Sequence, residues 1–226
     1  MEATHRDSAE SMRALLASAQ ASPQVFRKAL TKVSPNDRDA WLDLVFALDA
    51  IPDDGAALPR GCVPYLPCSV ELLLQIADHA CVQPSDVFVD VGSGVGRAAA
   101  LMHGVTGATV IGLEVQPALV QASRGLAARL GMARVTIVEG DAALTTGMIM
   151  TGSVFFLYCP FSGDRLEKVL DDLEPIARTK AIRVCCVDLP LPPRAWLTPI
   201  ARPSAGLAIF RSTLLDAPAN DAVRSR

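Results

Sequence analysis

The chain has 226 residues, half of them apolar, with a net charge of −3 and no cluster of Lys or Arg. That length supports one sizeable core plus an accessory segment, and the absent cation cluster disfavours non-specific nucleic-acid binding. No apolar run is long enough to cross a bilayer, and residues 1–7 lack the apolar centre of a signal peptide, so the expectation is a soluble cytoplasmic protein.

The first part reads as helical. Met12, Leu15, Leu16 and Ala19 recur at helical spacing. Ser22-Pro23 is an N-cap followed by proline at the first helical position, leading into Val25, Phe26, Ala29 and Leu30. Ser34-Pro35-Asn36-Asp37 repeats that signal with an acid three residues on, ahead of an apolar stripe at Trp41, Leu44, Val45 and Leu48. Two or three helices are predicted over 1–50, packed as a cap or lid. A Pro- and Gly-rich connector follows, then a helix capped by Ser69 and carrying Val70, Leu73, Leu74 and Ala77; together these make a segment over 51–85.

From residue 86 strands and helices alternate, the pattern of a mostly parallel sheet covered on both faces. Strands are predicted over 87–91, 109–113, 134–138, 153–158 and 181–187. Helices are predicted over 95–103, from Pro117 to a Gly131 stop, and through Leu166, Val169, Leu170 and Leu173. A terminal hairpin ends near 211. The expected fold class is α/β, Rossmann-like, with its main domain over 86–215 and a flexible tail over 216–226.

The six cysteines form neither a disulfide framework nor a zinc pattern, and the three histidines show no ligand spacing, so no metal is expected. The chemistry concentrates at the carboxyl ends of the predicted strands, the edge where open α/β sheets bind ligands. Strand one ends in Asp90, followed by Gly92, Gly94 and Gly96 on alternate positions, with Arg97 where a G-x-G-x-x-G motif would place its third glycine. The glycines let a ligand approach the backbone, and the helix start offers free N–H groups. Glu114 ends strand two, 22 residues after Gly92, where a carboxylate can accept both hydroxyls of a ribose. Asp141 and Ala142 follow strand three, where an acid beside a backbone N–H can read an adenine edge. Tyr158-Cys159-Pro160-Phe161 ends strand four; core packing is the alternative role for its aromatics.

On these residues the region from about Val63 to Asp188 resembles the class I S-adenosylmethionine-dependent methyltransferases. Within them it is most similar to the small lysine methyltransferases that include the ATP-synthase c-subunit enzyme. That likeness rests on Val63-Pro64-Tyr65-Leu66-Pro67, Asp90 to Arg97, Ile111-Gly112-Leu113-Glu114 and Leu189-Pro190-Leu191-Pro192. The resemblance implies S-adenosyl-L-methionine as cofactor. Asp90 and the glycine turn, with Ser93 and Arg97, would face its methionine part. Tyr65 would lie near the amino-acid end, Glu114 and Val115 at the ribose, and Asp141 and Ala142 at the adenine. Relatives that methylate amides or exocyclic amines carry Asn/Asp-Pro-Pro-Tyr/Phe after strand four. Here Tyr158 and Cys159 occupy the first two places, which turns the expectation away from bases and glutamine.

The expected reaction is in-line methyl transfer to a nitrogen or oxygen nucleophile on a small molecule or a protein side chain. Such an enzyme mainly positions and desolvates its reactants. Tyr158, which also borders the expected cofactor site, and Asp188 are the polar candidates for orienting the acceptor; a plain turn acid is the alternative for Asp188. The N-terminal helices and Tyr65 are expected to close over the pocket. Two other readings stay open at this point: a nicotinamide-dependent oxidoreductase, which shares the glycine turn and distal acid, and a non-catalytic partner module of the same fold.

Overall fold

The computed structural model describes residues 3–55 and 58–213, with side chains from His5 onward; the expected tail over 216–226 lies outside the described residues. Four helices precede the first strand: α1 (Ala3–Ala17), α2 (Pro23–Lys32), α3 (Arg38–Phe46) and α4 (Val70–His79). Ser22 and Ser69 cap α2 and α4, each hydroxyl accepting a backbone N–H three residues on, from Val25 and Leu72. Ser34 behaves differently. Residues Pro35–Asp37 form a 3-10 turn, and the Ser34 hydroxyl donates to the Asp37 carboxylate at 2.8 Å instead of capping the backbone.

Seven strands follow: β1 (Val87–Val91), β2 (Thr109–Glu114), β3 (Val135–Glu139), β4 (Val154–Tyr158), β5 (Arg183–Val187), β6 (Leu197–Ser204) and β7 (Leu207–Ser212). They form one sheet in the order β3-β2-β1-β4-β5-β7-β6. The first five are parallel, and β7 runs antiparallel between β5 and β6. The connections are α5 (Arg97–Thr106), α6 (Pro117–Arg129), the short α7 (Ala142–Thr145) and α8 (Asp164–Thr179). Because β2 and β3 lie on one side of β1 and β4 on the other, the strand order reverses beside β1. A crevice therefore opens there, at the carboxyl edge.

The strands interleave two faces with period 2. Phe88, Val110, Val154, Phe156, Cys185 and Val187 share a buried cluster with the N-terminal helices, α4, α5 and α6. Val89, Leu113, Phe155, Leu157, Val184 and Cys186 share the other with α8 and Trp196. The adjacent thiols Cys185 and Cys186 thus point to opposite faces. Phe88 and Phe156 meet across β1 and β4 with ring centroids 5.8 Å apart.

Three expectations shift in detail. Helix α5 begins at Arg97 rather than residue 95, because Gly96 sits in the left-handed region with φ of 79° and starts the helix only after itself. Strand β5 begins at Arg183, two residues later than predicted. The N-terminal helices share one core with α4, α5 and α6, and none of their described residues lines the crevice.

Phe88 is fully buried between β4 and the helical layer. Phe88→Ala is expected to cost about 3–5 kcal/mol of unfolding free energy, read from denaturant titration; a loss below about 1 kcal/mol would contradict this packing.

Candidate active site

The crevice at the end of β1 is built from four turns and a covering strap. The Gly92 and Ser93 N–H groups both donate to the Leu113 carbonyl at 2.9 Å, anchoring the glycine turn on the end of β2. The Gly94 N–H donates to Glu114 Oε2 at 2.8 Å. Glu114 Oε1 accepts the Val115 and Gln116 N–H groups at 2.9 and 2.8 Å. One buried carboxylate therefore fixes both turns: Oε1 is filled by two donors, while Oε2, with one, keeps capacity for a further donor.

The three glycines have φ of 85°, 53° and 79°, a region that L side chains avoid. Their neighbours also demand them. A Cβ on Gly92 would meet Pro160 Cβ at 2.9 Å; one on Gly94 would enter the Tyr65 ring, and one on Gly96 would collide with Ser123 Oγ. The open backbone at Gly94 is thus covered by an aromatic ring from the strap.

Asp90 lies on the Phe88 face of β1, 2% exposed. Burial, and next the charge of Glu114, push its carboxyl up to about 7, against a smaller opposing pull from the Ala99 N–H. Its Oδ2 has no hydrogen-bond partner, and neither do the buried Tyr65 hydroxyl and Ser93 Oγ. Burial also pushes the Tyr65 hydroxyl up to about 12, so it stays a neutral donor. A buried acid with a free oxygen and two free hydroxyls beside a glycine turn suit a ligand that carries an amine and a carboxylate.

The strap, described over residues 53–55 and 58–68, is tied down at several points. Asp54 Oδ1 accepts the Tyr65 N–H at 3.0 Å and Gln116 Nε2 at 2.7 Å, and the Gly55 N–H donates to Gln116 Oε1 at 2.6 Å. The Val63 N–H donates to the Pro160 carbonyl at 3.1 Å, beside an isolated bridge between Cys62 and Phe161.

Asp90, Ser93, Arg97, Glu114, Val115, Asp141, Ala142, Tyr65, Tyr158 and Gly92 all line this one cavity. Gly94 and Gly96, expected at the site, are not among the lining residues: Gly94 lies under the Tyr65 ring and Gly96 against Ser123. Two expected residues point elsewhere. The Arg97 guanidinium is committed to the helical layer: Nε to Asp43 at 2.6 Å, Nη2 to Asp39 at 2.8 Å and Nη1 to the Cys68 carbonyl at 2.7 Å. Asp188 is exposed and lines no part of the cavity. Its N–H donates to the Gly206 carbonyl at 2.8 Å, and its carboxylate packs where a Gly206 side chain would stand. Asp188 still acts at a distance: after burial and nearby thiols, its charge helps raise the Tyr158 hydroxyl, and after burial it raises the Cys159 thiol.

Sequence reasoning missed Gln116, Cys68, Phe156 and Cys159 in the cavity wall. Gln116 had a signal, as the N-cap position of α6 two residues after Glu114. Cys159 and Asp188 share one that only the backbone reveals. Both are non-glycine residues at positive φ, 32° and 49°, at the ends of the neighbouring strands β4 and β5, and such strain gathers at functional edges.

A family model described as protein-L-isoaspartate(D-aspartate) O-methyltransferase matches residues 16–147, more than half of the chain. No curated protein sequence matches. An RNA methyltransferase from Salinibacter ruber, solved in complex with S-adenosyl-L-homocysteine, aligns with a TM-score of 0.52 and 24% identity over 69% of this chain and 98% of its own. The putative methyltransferase yhhF from Escherichia coli aligns with a TM-score of 0.55 and 19% identity over 73% of this chain and 92% of its own. At these identities the two structures speak to the fold.

The Asp90 carboxyl has a sharp consequence for stability. Its folded value, raised from 3.8 to about 7, means the folded protein holds a proton that the unfolded chain has released, so stability falls as pH rises from about 4 to about 7. Asp90→Asn is expected to stabilise the ligand-free protein at pH 8 by on the order of 2 kcal/mol, with the gain shrinking towards pH 4. Urea titrations at both pH values check this; an equal or opposite effect at the two would contradict it.

Proposed function

The chain belongs to the protein-L-isoaspartate(D-aspartate) O-methyltransferase family, and we propose that it transfers a methyl group from S-adenosyl-L-methionine to an amine presented at the Tyr158 edge of the cavity, in place of the oxygen acceptor that the family's name states. The activity is that of a class I methyltransferase; the acceptor and the residue roles are the proposal. The matched region stops at residue 147, ahead of β4, so it takes in the acids at the ends of β1, β2 and β3 but not Tyr158 or Cys159.

Support for the cofactor assignment comes from the donors and acceptors left open. The free Oδ2 of Asp90 supports a role in accepting from the methionine ammonium. The remaining lone pair on Glu114 Oε2 suits a ribose hydroxyl, and Asp141 with Ala142 borders the adenine. Tyr65 closes the amino-acid end with its hydroxyl as a donor. The cofactor, when bound, supplies an electrophilic methyl on a sulfonium that leaves as a neutral thioether.

The observation that carries the amine reading is electrostatic. The described residues that line the cavity include Asp90, Glu114 and Asp141 but one cation, Arg97, whose guanidinium is spent on Asp39, Asp43 and Cys68. A carboxylate acceptor would be buried there without a counter-ion, which is costly. A neutral amine needs no counter-ion, and the apolar surround of Val63, Leu66, Phe156 and Phe161 disfavours its charged form and frees the nitrogen lone pair. Tyr158, with its hydroxyl kept protonated by burial, orients that nitrogen. The Val63-Pro64-Tyr65-Leu66-Pro67 resemblance makes a protein lysine the preferred amine.

Incubation with methyl-labelled S-adenosylmethionine and a lysate of the source cells is expected to give label that survives mild alkali, as N-methyl groups do; label released by alkali as methanol would identify a methyl ester and overturn the amine reading. Tyr158→Phe is expected to lower kcat about tenfold, the scale of one lost hydrogen bond in the transition state, with S-adenosylhomocysteine affinity within about twofold; equal loss of both would place Tyr158 on the cofactor alone.

A further inference from the structure

Three segments far apart in sequence meet at the guanidinium of Arg165, a residue beyond the region the family model matches. Its Nη1 donates to both oxygens of Asp141, at 2.7 and 2.8 Å. Its Nε donates to the Arg60 carbonyl of the strap at 3.0 Å. A Cβ on Gly61 would lie 3.7 Å from Arg165 Cδ, so the stem packs along the same stretch of strap. Arg165 sits in the first turn of α8, where the helix dipole disfavours a cation, so its placement is explained by these partners rather than by the helix.

Asp141 is correspondingly constrained. Its Oδ1 takes the Ala143 N–H at 3.0 Å as an N-cap in addition to Arg165, while Oδ2 has Arg165 alone and keeps a free lone pair; Asp141 lines the cavity. A carboxylate gripped on both oxygens cannot rotate away, whereas one held only by its N-cap can.

We propose that Arg165 is a positioning residue for nucleotide recognition: it holds Asp141 in the orientation that accepts the adenine 6-amino group and, through the Arg60 carbonyl, makes closure of the strap depend on that same contact. The inference rests on the reading above that Asp141 borders the adenine. A 6-oxo base offers an acceptor where adenine offers a donor, so a locked Asp141 rejects it, and a loosened one turns aside and tolerates it. The strap, losing its hold at Arg60, then no longer senses which base is bound.

The test compares S-adenosylhomocysteine with its inosine counterpart by calorimetric titration, together with hydrogen–deuterium exchange over 58–66. The wild type is expected to prefer the adenosine ligand by about tenfold, the scale of one charge-assisted hydrogen bond, and to slow exchange in the strap when it binds. In Arg165→Met the preference should fall to within about threefold and the strap protection should disappear. Arg165→Lys, which can reach Asp141 but lacks the second arm for the Arg60 carbonyl, should recover the preference without the protection. An Arg165→Met protein that keeps both the preference and the protection overturns the proposal, as does Arg165→Lys recovering both. If the wild type binds both ligands equally, the placement of Asp141 at the adenine fails first; if it binds neither, the cofactor reading fails.

Discussion

Three backbone amides converge on one buried carboxylate, and much of the site depends on that convergence. Glu114 takes the N–H groups of Gly94, Val115 and Gln116, so the turn after β1 and the turn after β2 are held as one unit. Charge-assisted bonds of this kind are among the stronger ones available to a protein. They hold the glycine turn in its left-handed conformation, keep a negative charge next to Asp90, and set Gln116 where it can grip Asp54 and Gly55 of the strap. Removing the carboxylate would free all three at once.

A second constraint works from the opposite wall. Arg97 stands at the position where a related nucleotide motif would have glycine, and its guanidinium reaches through the wall to Asp39 and Asp43 on α3 and to the Cys68 carbonyl at the end of the strap. The N-terminal helices therefore influence the cavity without lining it. Asp39 also accepts the Val70 N–H at 3.0 Å, so the start of α4 and the end of the strap are set by the same pair of residues. The two acids are about half exposed, which tempers what their pairing contributes; the Arg97 side chain is buried, and leaving it unpartnered would be the larger cost. Because this cation is spent on structure, the described residues lining the cavity offer no free cation.

Local rules made the frame legible. Strand–helix alternation predicted the parallel sheet, the signals at Ser22-Pro23, Ser69 and Pro117 placed three helix starts while that at Ser34-Pro35 gave a 3-10 turn, and the acids at successive strand ends lie at the edge where the cavity opens. Gly92, Gly94 and Gly96 all adopt a left-handed backbone, in keeping with the tight turn expected between strand and helix. What stayed hidden depends on partners distant in sequence. Nothing near Arg97 says that its guanidinium turns to α3, more than fifty residues upstream. Nothing near Asp188 says that the β6–β7 turn at Gly206 will draw its carboxylate away from the cavity. The insertion of β7 between β5 and β6 is likewise a matter of tertiary pairing, as are the ties from Gln116 and Arg165 to the strap. Periodicity reports which face of an element is buried, not which residue it will meet there.

The central claim is that the carboxyl edge of β1 and β2 is built to hold a sulfonium nucleoside through Asp90 and Glu114. Calorimetric titration of S-adenosylhomocysteine into the purified protein, into its Glu114→Gln variant and alongside NAD tests it most directly. The account predicts one site per chain, at least tenfold weaker binding in Glu114→Gln as a charge-assisted contact is lost, and no binding of NAD. Saturable binding of NAD with none of S-adenosylhomocysteine would contradict it.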